Sequence, residues 1–356
     1  MPRRYPEPSL LVNTLRCPVD GYLVAGPGML DVRVEGESQH IQLRGKALDR
    51  LLSGDLPELS GLQFFPHCGF RWQGTAELLV SIDGFVDMPS DGDFRFKLGD
   101  ATVSVQEASP ALHALMTPAY WNDIEEDFRF GWSLQIRGIG EGDLRQHVSN
   151  ALFQLNSHYL RGYRASVAVH HALSRDEIVE IEEDPGLRLT RKRIRKRPFL
   201  EDLAPLDLYN AASTNWGDAR FLTFYRVLEF FFGRAVELEI EEMRRSERVS
   251  AAQLIARAQR RDELTQLIAL VDSVLTPAAR LSLDAFLARR GLIRTQDKNA
   301  LPTGLYAFRN SVVHAKEQEI ARIAIPNPLE AEDKPMRAWT YVVAEVARGA
   351  IRKHAR

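Results

Sequence analysis

Near Leu206 the apolar residues of this 356-residue chain change their spacing, and that change limits the fold more than any other feature. Before it, apolar side chains alternate with polar ones in short runs: Leu30-Asp31-Val32-Arg33-Val34, His40-Ile41-Gln42-Leu43, Phe94-Arg95-Phe96-Lys97-Leu98 and Thr102-Val103-Ser104-Val105. Alternation of this kind puts the apolar set on one face of a pleated strand. Gly21-Tyr22-Leu23-Val24, Leu78-Leu79-Val80-Ser81-Ile82, the segment from Phe128 to Ile136 and Ala165-Ser166-Val167-Ala168-Val169 extend the series. Turn-forming stretches, Gly26-Pro27-Gly28 and Pro89-Ser90-Asp91-Gly92-Asp93, separate the runs as in an antiparallel sheet or sandwich. One helix interrupts them, capped by Asp143 and carrying Leu144, Val148, Leu152 and Leu155 to about His158.

Beyond Leu206 the apolar spacing is helical. Phe221, Phe224, Leu228, Phe231, Ala235 and Leu238 mark one broad face of a long helix from Asp218 to about Arg245. Ser250 caps a second helix with Leu254, Ile255 and Ala258, and Leu264 to Leu275 forms a third. Pro277 suits the first turn of a fourth that ends near Gly291. Two more are expected from Pro302 to about Glu317 and from Pro335 to about Lys353. Several helices with short links make an antiparallel bundle. The expected fold class is therefore α+β and multidomain. A β-rich or α+β domain covers 1–185, a linker 186–205 and an all-α bundle 206–356.

The linker is chemically distinct. Acidic Glu180-Ile181-Glu182-Glu183-Asp184 precedes a basic run that includes Arg188, Arg191, Lys192, Arg193, Arg195, Lys196 and Arg197. The basic run can track an RNA backbone, or it can be a solvated linker or an edge strand paired with the acidic stretch. A formal net charge of −2 gives no global attraction to polyanions, so any such contact is local. Cys17 and Cys68 form no recurrent pattern, which suits a reduced cytoplasmic protein. The N-terminal residues lack a signal-peptide apolar core, and no stretch approaches the ~20 apolar residues of a membrane span. The aromatic block Phe230-Phe231-Phe232 is flanked by Glu229 and Arg234.

Chemistry concentrates near the C-terminus, in Arg309-Asn310-Ser311-Val312-Val313-His314. On a helix Asn310 and His314 share a face, and the long Arg309 side chain can swing toward the same phosphate. Arg presents a permanently charged planar fork to phosphate oxygens. Histidine, with a free pKa of about 6.5, moves protons near neutrality. RNA brings its own nucleophile, the 2′-OH, so this trio can cleave it with neither metal nor cofactor. No other constellation competes. His67-Cys68 has no matching pair at zinc spacing, and His170-His171 diverge on a strand. Gly138-Ile139-Gly140-Glu141-Gly142 lacks dinucleotide-loop spacing, and no Gly-rich loop runs into Lys-Ser/Thr. Phe64, Phe65, Phe70 and Trp72 suit either a recognition pocket or a sheet core.

The segment Tyr306 to Ala315 resembles the Arg-x4-6-His signature of HEPN-domain ribonucleases, in which a polar residue follows the arginine, here Asn310. The earlier Phe224-Tyr225-Arg226-Val227-Leu228-Glu229-Phe230 looks like the first helix of such bundles, with Glu229 able to orient Arg309 or a histidine, or else to pair with Arg226 or Arg234. The resemblance covers roughly 206–356. It implies a homodimer with a composite cleft between two motif helices, Arg309, Asn310 and His314 as catalytic residues, and RNA as substrate. It further implies an effector of antiphage defence or a toxin, whose N-terminal domain binds a trigger or partner. Some toxins of this family carry a modified tyrosine two positions after the histidine. Lys316 stands there, which disfavours that toxin type. The alternative is a HEPN-like scaffold or nucleotide-binding protein without cleavage.

Overall fold

Ile41 and Leu43 are fully buried while Gln42 and Arg44 face solvent, so the period-two pattern becomes a real strand with one wet face. In the computed structural model the described residues are 23–26, 29–34, 37–52, 59–65, 68–83, 94–120, 132–140, 143–159, 166–169, 197–215, 217–245, 250, 252, 262–294, 297, 299–314 and 334–355. The N-terminal half holds β-sheet and the C-terminal half helices. The chain divides into two compact units, Met1–Phe199 and Leu200–Arg356.

In the first unit β1 (Leu23–Gly26), β2 (Met29–Val32) and β3 (Ile41–Arg44) form a three-stranded antiparallel sheet in chain order. A seven-stranded antiparallel sheet has the order β4 (Leu62–Phe65), β5 (Gly69–Trp72), β6 (Thr75–Asp83), β9 (Trp132–Arg137), β8 (Ala101–Glu107), β7 (Phe94–Leu98), and β10 (Ser166–Val169) pairs with the far end of β6. Successive side chains of β6 serve two cores. Leu79 joins Leu30, Ile41, Leu43, Phe70 and Trp72 with helices α1 (Lys46–Leu52) and α2 (Pro110–Tyr120). Ala76 and Val80 join Phe96, Val103, Leu134 and Ile136 with α3 (Leu144–Gln154), which runs on as a π-helical turn to Tyr159. Asp143 caps α3 by accepting from the Arg145 backbone N–H.

Buried Glu77 lies within β6. Its carboxylate accepts from the Ser109 N–H (2.8 Å), the Ser109 hydroxyl (2.5 Å) and the Ser133 hydroxyl (2.8 Å). Burial pushes its pKa up, against the lowering effect of those bonds. Gly69 permits the close pairing of β5 and β6, because a Cβ there would stand 2.1 Å from the Glu77 carbonyl oxygen.

Helices α1 and α2 and strands β4 and β5 are absent from the sequence expectation, as is the helix Leu203–Thr214, whose first three residues fall within the expected linker 186–205. Phe70 and Trp72, left open between pocket and core, are buried in the sheet core, whereas Phe64 and Phe65 are half-buried. Of the segment from Phe128, positions 128–131 lie outside the described residues, as do most of the stretch led by Ser250 and the acidic and basic positions up to Lys196. Arg197, assigned to a linker, pairs its backbone with β7. Its N–H donates to the Lys97 carbonyl at 3.0 Å.

In the second unit the helices are α4 (Leu203–Thr214), α5 (Gly217–Arg245), α6 (Glu263–Val274), α7 (Pro277–Ala288), α8 (Ala300–His314) and α9 (Lys334–His354). Asp262 and Thr276 cap α6 and α7 through their side-chain oxygens, and Pro277 occupies the first turn of α7. The 29-residue α5 buries Phe221, Phe224, Tyr225, Leu228, Phe231 and Ala235 along one face. Helix α8 buries Leu301, Leu305 and Phe308. The Phe308 ring meets Phe221 edge-on at 5.1 Å and stacks on Trp339 of α9 at 5.9 Å. Among the described residues no helix is long and apolar enough to cross a membrane.

Candidate functional site

Burial of Phe308 against Phe221 and Trp339 fixes the rotation of α8, and the next residue, Arg309, is thereby turned toward α5 and α6. Each nitrogen of its guanidinium faces a side-chain oxygen, two of them in hydrogen bonds and the third in an ion pair. Nη1 donates to Asn310 Oδ1 at 3.0 Å, and Nη2 donates to Glu229 Oε1 of α5 at 3.3 Å. Nε lies 3.5 Å from Glu263 Oε1, at the start of α6. The Tyr225 ring of α5 stands beneath the group, 5.6 Å from Cζ, within cation–π range.

Tyr225 closes the arrangement. Its hydroxyl donates to Glu263 Oε1 at 2.9 Å, so that one oxygen meets both the tyrosine and the arginine. The phenol is almost fully buried. Burial pushes its pKa far above the ordinary value, and the neighbouring Glu263 carboxylate adds to the rise. The tyrosine therefore remains a hydrogen donor at any physiological pH.

The two glutamates differ in exposure and in support. Glu229 is 38% exposed, and Glu263, the carboxylate tied to Tyr225, is 28% exposed. Arg309 itself is 21% exposed, half-buried yet open to a ligand. One guanidinium facing two carboxylates leaves the cluster with an excess of negative charge, so an incoming phosphate competes with a carboxylate for the arginine.

Of the residues singled out from sequence, Arg309, Asn310 and Glu229 are brought together. His314 closes α8 one turn beyond Asn310, and its side chain is outside the described part of the structure. Glu229 meets neither of the surface arginines offered as alternatives: its ion pair is with Arg309, while Arg234 pairs with Asp202 at 3.0 Å. Glu263 and Tyr225 were not singled out. Glu263 follows the α6 cap, where an acidic residue is favoured by the helix dipole alone, so its sequence position carries no trace of the contact. Tyr225 sits within the apolar stripe of α5 and reads as core.

Arg191, Lys192, Arg193, Arg195 and Lys196 lie outside the described residues, as do His67, His170 and His171. Cys68 is a free, buried thiol whose pKa burial pushes up to about 11, so it is a poor nucleophile. Among the described residues no group of three or more His, Cys, Asp or Glu side chains is placed to hold a metal ion. No family model, curated protein or solved structure matches this chain at a significant level.

Proposed function

We propose that the chain is a cytoplasmic, metal-independent endoribonuclease of the HEPN type, with Arg309, Asn310 and His314 at its active site. The observation that carries this reading is the half-buried Arg309 fork five residues before His314 on a single helix, with Asn310 beside it and one turn before the histidine. Arg309 binds the scissile phosphate and offsets the charge that develops on it. The 2′-oxygen attacks phosphorus, its proton passes to an imidazole, and the bond to the 5′-oxygen breaks as that oxygen takes up a proton. The products are a 2′,3′-cyclic phosphate and a 5′-OH end. One chain offers one such imidazole. Two α8 helices paired across a two-fold axis supply the second, which makes a homodimer part of the proposal. The first unit then serves as the domain that binds a trigger or partner, and the basic run 191–197 as a tracking surface for RNA.

The second reading is a non-catalytic HEPN-like scaffold or RNA-binding protein. It draws on a specific observation: Arg309 already bridges α5, α6 and α8, which is a sufficient structural use for a guanidinium. Incubation of RNA with the protein in EDTA separates the two. Cleavage to cyclic-phosphate ends is expected, with His314→Ala and Arg309→Ala each slowing it by at least ~100-fold. Cleavage by His314→Ala at the wild-type rate would defeat the mechanism. RNA binding without cleavage would favour the scaffold.

A further inference from the structure

We infer that Glu263, held by Tyr225, is the positioning residue of this site, and that Glu229 is its exchangeable counterpart. The kinetic part of this inference rests on the ribonuclease reading. Both carboxylates face the same guanidinium, yet they are not equivalent. Glu229 reaches a terminal nitrogen, Nη2, from a more exposed position. Glu263 sits against Nε, the nitrogen closest to the stem, and its contacting oxygen is tied from behind by the buried Tyr225 hydroxyl at 2.9 Å. This contact is an ion pair at 3.5 Å, longer than the Glu229 hydrogen bond at 3.3 Å, but its carboxylate is itself held in place, so it restrains the stem from which the two terminal nitrogens project. A phosphate needs both terminal nitrogens for bidentate recognition. It takes Nη2 by displacing Glu229 and uses the second N–H of Nη1, whose other N–H holds Asn310 Oδ1, while Glu263 keeps the fork aimed.

Charge and position make different predictions for the two glutamates. Charge alone says that Glu229→Gln and Glu263→Gln act alike, each strengthening phosphate binding. Position says that they part in kcat. Glu229→Gln is expected to lower KM for RNA about fivefold, the effect of removing one competing charge at partly exposed contact range, with kcat maintained. Glu263→Gln is expected to lower kcat about 10- to 100-fold whichever way KM moves, because a loosened fork misplaces the phosphate. Tyr225→Phe removes only the hydroxyl and no charge. It should lower kcat about tenfold at unchanged KM, and its thermal midpoint should fall by no more than about 4 °C.

A second readout does not depend on cleavage. In protein labelled with 15Nε-arginine, the Arg309 Nε–H resonance is assigned by its absence from Arg309→Lys. It should shift or broaden in Glu263→Gln and Tyr225→Phe, and stay in place and sharp in Glu229→Gln. An Nε–H signal unmoved by both Glu263→Gln and Tyr225→Phe would overturn the positioning role, whatever the protein does to RNA. Equal kcat effects of the two glutamine substitutions would overturn the distinction between the glutamates. Failure of the wild-type protein to cleave any RNA would defeat the ribonuclease reading and leave the resonance experiment to decide the inference.

Discussion

His354 shows how far burial alone can set the state of a single residue. It ends α9 at 3% exposure with its ring 5.7 Å from that of Phe231, and its Nε2 has no hydrogen-bond partner among the described residues. Burial, reinforced by the charges of Lys353 and Arg234, pushes its pKa down from 6.5 to about 4. The folded protein then binds fewer protons at this site than the unfolded chain between those two values, so stability rises with pH across the interval. Chemical denaturation should show the unfolding free energy falling by up to about 3 kcal/mol as pH drops from 6.5 toward 4. His354→Leu should flatten that slope, measured as the difference between the two proteins. An equal slope in both would show that the histidine is hydrated in solution.

At the scale of elements, α8 is positioned by one glycine as much as by its apolar face. A Cβ on Gly304 would lie 2.7 Å from the Trp339 ring and 3.1 Å from Ile293, so the helix can approach α9 only without one. Gly304→Ala gains about 1 kcal/mol of helix propensity but overpacks a rigid ring, at a cost of about 1–3 kcal/mol. We expect a net loss of stability of about 1 kcal/mol in urea denaturation. A lowered kcat should accompany it, because Phe308 stacks on the same ring and Arg309 follows Phe308. A stabilised variant with full activity would show that α8 shifts freely.

Helices α5, α6 and α9 were legible in sequence to within a residue or two, and α7 to within three at its C-terminal end, since apolar spacing and caps are local. Helices α1 and α2 were not. Lys46–Leu52 is short, and Pro110–Tyr120 is too uniformly apolar to show a polar face. Strands β4 and β5 hide for a related reason. Each is only four residues long, and in β4 Phe64 and Phe65 follow one another, so neither run is long enough for a period of two to stand out.

For the whole molecule, a formal charge of −2 gives no global attraction to polyanions, so the proposed RNA contact would draw on local cations. The run 191–197 is the densest such group in the sequence. Replacing Arg191, Lys192 and Arg193 with glutamine should reduce the slope of log K against log salt by about 2, at roughly 0.7 per phosphate on a single strand. Cleavage of saturating RNA should proceed as before. An unchanged slope would assign RNA contact to other cations. The proposed two-fold site makes a separate demand: specific activity should fall on dilution, in step with dimer dissociation measured by light scattering. Constant specific activity in a proven monomer would exclude a shared cleft.

Two things were determined by the sequence itself: the division into a sheet-bearing half and a helical half, and the placement of Arg309, Asn310 and His314 along one helix. Both follow from backbone geometry, which turns residue spacing directly into strand or helix. What surrounds Arg309 was decided only by tertiary packing. Glu229 precedes it by 80 residues, with Tyr225 four positions earlier on the same helix, and Glu263 comes from α6. Apolar burial is non-directional, so a periodic stripe states which face of a helix is covered but not by which neighbour. The rings of Phe221, Phe308 and Trp339 settle that choice by shape, and the polar groups beside them meet as a consequence.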